Sequence, residues 1–262
     1  MPKTIHIRFY EELNDFLHRQ KRKTTFEHSF TGNPSVKDVM ESLGVPHTEI
    51  DMILVNGESV TFNYKPAESD RISVYPVFES LNISNVTHLR PKPLRKTKFI
   101  LDVHLGKLAR YLRMLGFDTL YENNYPDPQI IDIAKKEKRI ILTRDIGILK
   151  NNAVTHGYWI RSQNPREQLK EVITRFDLSV VIKLLFRCME CNGIIEKVDK
   201  KEILDQLKPK TKKYFNEFFQ CTQCKKLYWE GSHYEKMINS IKALHIPKQI
   251  LNFTKQKNNN TG

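Results

Sequence analysis

Residues 99–118 read Phe99-Ile100-Leu101-Asp102-Val103-His104-Leu105-Gly106-Lys107-Leu108-Ala109-Arg110-Tyr111-Leu112-Arg113-Met114-Leu115-Gly116-Phe117-Asp118. Three apolar residues running into an aspartate predict a short buried strand, after which the apolar period changes. Leu105, Leu108, Ala109, Leu112 and Leu115 form one helical stripe, and Gly116 is placed to end that helix. A second strand starts at Phe117. Strand, helix, strand without a hairpin turn is the unit of a parallel sheet covered by helices.

The alternation continues downstream. A strand over 117–121 leads to Asp127-Pro128, read as a helix cap, and to a helix over 129–137. Strands follow over 139–143 and 158–160, and Asn164-Pro165-Arg166-Glu167 opens a helix reaching Phe176. Further on, Cys188-Met189-Glu190-Cys191 and Cys221-Thr222-Gln223-Cys224 offer four thiolates for one tetrahedral ion, zinc by default, with an insertion over 199–214 between the knuckles. Four Cys ligands leave no open position, so this metal is read as structural. Ser232-His233-Tyr234-Glu235 reads as a capping box for a final helix, and the Asn-rich end as disordered.

Upstream, 4–9 and 24–30 alternate as half-buried strands. Pro34-Ser35 opens a helix carrying Val36, Val39, Met40 and Leu43, which Gly44 ends. Ile53-Leu54-Val55 runs into the turn Asn56-Gly57, and a strand over 71–77 closes the unit. This order is that of a ubiquitin-like β-grasp domain. The expected architecture is therefore multi-domain α+β and α/β: a β-grasp domain over 1–80, a basic linker over 81–97, a three-layer α/β domain over 98–181, a zinc ribbon with a C-terminal helix over 182–244, and a tail over 245–262.

The 262 residues carry a net charge of +13. The first 80 hold 9 Lys+Arg against 12 Asp+Glu, so the remainder carries a surplus of +16. Such a surplus suits a polyanion, usually nucleic acid; a lysine-rich soluble surface is the plain alternative. No apolar run is long enough for a membrane span and no signal-peptide core is visible, and four cysteines in two Cys-x-x-Cys pairs suit a reducing compartment, so a cytoplasmic location is expected.

Functional groups in parallel sheets gather beyond the carboxyl ends of the strands. Asp102 and Asp145 both stand at such ends. If their strands are neighbours, the two carboxylates share a crevice and call for a divalent cation such as Mg²⁺ or Mn²⁺. Each could instead cap the following turn. Asp127 is the natural third acid, with a helix cap as its alternative, and Asp132 is placed on a different face of that helix. Lys107, Arg110 and Arg113, spaced i, i+3, i+6 with no intervening acid, are read as phosphate contacts, with Arg144 beside Asp145 as a further one. Arg187, Lys225, Lys226, Tyr228 and Trp229 around the knuckles either touch nucleic acid or pack the ribbon core.

These motifs in this order, with Ile140-Ile141-Leu142-Thr143-Arg144-Asp145, Arg187-Cys188-Met189-Glu190-Cys191-Asn192-Gly193 and Tyr228-Trp229-Glu230-Gly231-Ser232-His233, resemble the PIN-like ribonuclease domain with zinc ribbon of the Mut-seven C-terminal family. Residues 1–80, with Leu43-Gly44-Val45-Pro46-His47-Thr48-Glu49 and Val74-Tyr75-Pro76-Val77-Phe78-Glu79, are similar to the ubiquitin-like domain often fused before it. The resemblance implies a metal-dependent endoribonuclease with Asp102, Asp127 and Asp145 as catalytic acids, Asp102 and Asp145 holding Mg²⁺ or Mn²⁺, and RNA, tRNA or another structured RNA included, as substrate. The family set is usually fuller, and Gly147-Ile148-Leu149 supplies no further acid. A non-catalytic RNA-binding adaptor is the alternative. The N-terminal domain also resembles sulfur carriers, whose chemistry needs a free Gly-Gly end; here Phe78-Glu79-Ser80 stands at that place, so the domain is expected to dock a protein partner or position RNA.

Overall fold

The computed structural model describes residues 2–76 and 97–231, together with residues 234, 235 and 239. The expected linker, save its last residue, the tail, and Ser232 and His233 of the expected capping box lie outside the described residues.

In chain order the elements are β1 (Lys3–Phe9), β2 (Phe26–Phe30), α1 (Val36–Ser42), β3 (Ile50–Val55), β4 (Glu58–Ser59), β5 (Arg71–Pro76), β6 (Lys98–Leu101), α2 (Gly106–Met114), β7 (Asp118–Leu120), α3 (Asp127–Glu137), β8 (Ile140–Thr143), α4 (Ile146–Leu149), β9 (Gly157–Trp159), α5 (Pro165–Arg175), β10 (Ile195–Val198), α6 (Pro209–Tyr214), β11 (Phe218–Cys221) and β12 (Leu227–Tyr228). Short 3-10 turns join several of them. They fall into two compact units, Met1–Lys96 with Pro126–Trp159, and Thr97–Tyr125 with Ile160–Gly262. Among the described residues no helix is long and apolar enough to cross a membrane.

In the first unit, β1 to β5 form a mixed sheet in the order β2-β1-β5-β3-β4, with β1 and β5 parallel. Period-two alternation puts Ile5, Ile7 and Phe9 on the buried face, in one core with Val36, Val39 and Met40 of α1. Ser35 and Asp38 cap α1 reciprocally, and Gly44 leaves it at φ +99°. Asn56 and Gly57, at φ 52° and 93°, make the tight turn between β3 and β4. This is the β-grasp arrangement.

The same unit holds α3, β8, α4 and β9, with β8 and β9 paired in parallel. Gly157 opens β9 where a Cβ would strike the Leu149 side chain, so α4 lies directly on the strand. The β-grasp domain is docked on this α/β segment. Glu49, fully buried, accepts a hydrogen bond from the Trp159 amide at 2.6 Å. The Trp159 ring meets Phe16 with centroids 5.0 Å apart, and the two ring nitrogens of His47 lie 2.6 Å from Glu41 Oε1 and 2.8 Å from the Val154 carbonyl. Lys150 Nζ donates to the Glu41 carbonyl at 3.0 Å.

In the second unit, β6 pairs in parallel with β7, and α2 packs against α5. Phe99 of β6 meets Phe176, just past α5, edge-on at 5.6 Å. Gly116, at φ +92°, turns the chain out of α2 so closely that a Cβ would strike the Lys183 carbonyl. An antiparallel ribbon, β10-β11-β12, completes the unit, with a 3-10 stretch (Lys200–Gln206) and α6 between β10 and β11, where the insertion was expected.

Two substitutions test this packing. Glu49→Ala leaves the Trp159 amide without its acceptor and is expected to lower unfolding free energy by about 1–3 kcal/mol, with faster hydrogen exchange at that amide; an unchanged amide would show that the docking does not rest on Glu49. Gly116→Ala forces a side chain into left-handed backbone, costing at least ~1–2 kcal/mol in chemical denaturation, and a neutral result would contradict the turn.

Candidate active site and zinc site

Asp145 follows β8, where the first amides of α4 need acceptors. Its Oδ1 takes the Gly147 amide at 2.7 Å, while its own amide donates to Thr143 Oγ1 at 2.8 Å. One carboxylate oxygen is thus held, and Oδ2 has no donor among the described residues.

Asp127 differs from the sequence expectation. The cap of α3 is Pro126, whose backbone enters the helix in extended conformation, and Asp127 is itself the first helical residue with Pro128 second. Because Pro126 already fixes the entry and Pro128 has no N–H to satisfy, the carboxylate makes no capping bond. It remains favoured by the positive end of the helix.

Asp127, Asp132 and Asp145 line one cavity of about 420 Å³, together with Asn151. The side chains of Pro128, Ile131 and Ile148 form its apolar wall. Asp132, expected on another face, joins the site because the N-terminal side of α3 lines the opening through residues 127, 128, 131 and 132, a stripe of i, i+3, i+4 spacing widened by one position. That stripe was the available signal. All three acids are exposed, and none has an ion-pair partner among the described residues. Their ligand atoms do not close into one tight sphere: among the described residues, the four cysteines form the one group of three or more His, Cys, Asp or Glu whose ligand atoms lie within 4.8 Å of one another. An open set of hard oxygen donors fits a cation that keeps several waters.

Asp102 belongs to the second unit. It stands at the end of β6, is 5 % exposed, and its Oδ1 accepts the His104 amide at 2.8 Å, capping the 3-10 turn before α2. The three cations of α2 do not share one face. At 100° per residue Arg113 lies 120° round from Lys107, and it is 4 % exposed while Lys107 and Arg110 face solvent. Its Nε donates to the Thr119 carbonyl at 2.8 Å, and Nη1 to the Glu190 carbonyl at 2.7 Å. The expected phosphate contact is instead a strut joining α2 to β7 and to the first cysteine knuckle. Arg144 is half-buried in the turn before Asp145, and its carbonyl accepts from Trp159 Nε1 at 3.2 Å.

The four thiols Cys188, Cys191, Cys221 and Cys224 are free and lie within 4.8 Å of one another, close enough to bind a zinc ion. Each knuckle turns on a left-handed residue after its second Cys, Asn192 at φ 65° and Lys225 at φ 60°. The Tyr228 hydroxyl lies 3.1 Å from Cys188 Sγ and accepts the Met189 amide at 3.2 Å, so this aromatic packs the ribbon core. Burial raises the Cys188 thiol, but hydrogen bonds led by that hydroxyl outweigh it and bring the group down to about 7. Glu190, not singled out from sequence, takes Arg110 Nη2 and Lys226 Nζ on one oxygen, each at 2.6 Å, and these bonds hold its carboxyl down at about 2.

Arg113→Lys removes the fork and strands buried carbonyls; a loss of about 1–3 kcal/mol is expected in thermal or chemical unfolding of the zinc-loaded protein, and no loss would argue against the strut.

Residues 97–241 match the family model of the Mut7-C RNAse domain, and residues 2–82 match that of Mut7-C ubiquitin. No curated protein and no solved structure matches the chain. The first match spans more than half of the sequence and takes in the strand-end aspartates, α2 and both cysteine knuckles; the chain belongs to the Mut7-C RNAse domain family and carries the family's ubiquitin domain at its front.

Proposed function

We propose that this protein is a divalent-metal-dependent endoribonuclease working from the cavity lined by Asp127, Asp132 and Asp145. The observation that carries the reading is electrostatic. Three carboxylates stand at one opening, without cationic partners among the described residues, in a chain whose charge is +13. An opening lined by charges of one sign raises the local concentration of counter-ions, so these carboxylates draw a cation to it. The RNAse family model supplies the substrate class.

Asp127 and Asp145 would hold the ion, with Asp132 as a further oxygen donor at the same opening. When bound, Mg²⁺ or Mn²⁺ supplies a water acidified enough to attack a phosphodiester. The chain's own contribution is placement. The Gly147 amide and the Thr143 hydroxyl fix Asp145, so its carboxylate does not have to be reoriented in the reaction. Arg144, the residue before Asp145 in the sequence, is assigned to the substrate phosphate. Asp102 enters from the family resemblance and from its place at the end of β6. Products with 3′-hydroxyl and 5′-phosphate ends are expected. The zinc ribbon is structural in this reading, the ubiquitin domain recruits a protein partner, and the reducing cytoplasm keeps the thiols available.

Cleavage of mixed RNA with Mn²⁺ is expected to fall about 10²-fold or more in Asp127→Asn and in Asp145→Asn, with folding unchanged. Cleavage equal to wild type in both would overturn the site; salt-sensitive RNA binding without any cleavage would favour the adaptor alternative. For the ribbon, elemental analysis is expected to find one zinc per chain, and Cys191→Ser to lose it together with thermal stability. Full stability without zinc would contradict a structural metal.

A further inference from the structure

A second cavity, about 660 Å³, lies within the second unit, between the solvent-facing side of α2 and the knuckle strand β12. Its cations are Lys107, Arg110 and Lys226, and its aromatic walls include Tyr111, Trp229 and Tyr234. Glu190 sits among the cations with Arg110 and Lys226 both on one carboxylate oxygen, so a single acid orders two positive groups and leaves the cluster with positive excess. Lys107 has no ion-pair partner among the described residues. The Trp229 indole is held in place: its ring leans on Phe218 at 6.3 Å, and Gly231 is bare where a Cβ would come within 2.7 Å of its Nε1.

Free phosphate would use the cations and leave the aromatic walls without a role. An apolar peptide would use the walls and bury three charges. A nucleobase with its phosphate uses both, the base against an aromatic face and the phosphate on Lys and Arg. The volume lies in the range of sites that enclose a small molecule. In a duplex the base faces are stacked away, so only an unpaired nucleotide presents the surface that fits.

We propose that this cavity is a subsite for one unpaired nucleotide of an RNA strand, its base on Trp229 and its phosphate on Lys107, Arg110 and Lys226. The choice of RNA rests on the ribonuclease reading above, whereas the pocket involves none of the carboxylates Asp127, Asp132 and Asp145.

The test uses the full, zinc-loaded chain carrying Asp127→Asn and Asp145→Asn, without added divalent metal, so that nothing is cut. Binding is measured by fluorescence anisotropy for a labelled single strand of about 12 nucleotides, for the same sequence as duplex, and by competition with AMP. Trp229→Leu is expected to weaken single-strand binding about tenfold or more and leave duplex binding as it was. Lys107→Glu, an exposed change that does not touch the core, is expected to weaken single-strand binding and flatten its salt dependence. Unchanged single-strand affinity in Lys107→Glu and Trp229→Leu overturns the proposal, as does an equal loss for duplex, which would indicate backbone charge alone. AMP binding that depends on Trp229, with an oligonucleotide that does not, would make the pocket a free-nucleotide site and overturn it too. The ribonuclease reading is judged separately, by cleavage in the protein with Asp127 and Asp145 intact.

Discussion

A chain leaving the carboxyl end of a parallel strand into a helix exposes amides that no earlier residue can satisfy. In both units an aspartate meets that need: Asp102 after β6 takes the His104 amide, and Asp145 after β8 takes the Gly147 amide. The bond positions the following helix and fixes the carboxylate at the same time. One oxygen serves the fold, and at Asp145 the other remains at the cavity. Capping and metal binding, competing explanations when only residue types are considered, are compatible uses of the two oxygens of one group. The arrangement of Asp127 is complementary, since Pro126 enters the helix in its place and its carboxylate stays uncommitted.

Periodicity disclosed the elements because period two and period 3.6 are enforced by burial along each strand and helix. Leu105 to Leu115 read as a stripe and are buried; Gly44, Gly57 and Gly116 read as turns and have positive φ. The four cysteines were legible as a group because ligand spacing within a knuckle is local. What spacing could not disclose were contacts decided by tertiary structure. Arg113 shares the i, i+3, i+6 spacing of Lys107 and Arg110, but its angular position carries it to the buried side, where carbonyls of β7 and the knuckle receive it. Glu49 and Trp159 lie 110 residues apart, and no local pattern links them. Asp132 has no local signature that sets it apart from an exposed helix residue; it shares a cavity with Asp145 only through the packing of α3 near α4.

The ubiquitin domain is packed directly on the α/β segment of its unit. It places Glu49, His47 and Phe16 against the segment that carries Asp145 and lines the cavity. The contact reaches β9 through Trp159 and the end of α4 through Lys150, both by packed or hydrogen-bonded groups. In the second unit the strut from Arg113 joins the helix after Asp102 to the first cysteine knuckle. In each unit a few buried polar groups, each with named partners, hold the packing together.

The most direct test of the central claim is a titration of the full, zinc-loaded protein with Mn²⁺, read by electron paramagnetic resonance and repeated in Asp127→Asn with Asp145→Asn. Mn²⁺ is expected to bind the wild-type chain, to be displaced by Mg²⁺, and to be absent from the double variant, while zinc content and unfolding temperature stay the same. Equal Mn²⁺ binding in the two proteins, or none in the wild type, would contradict it.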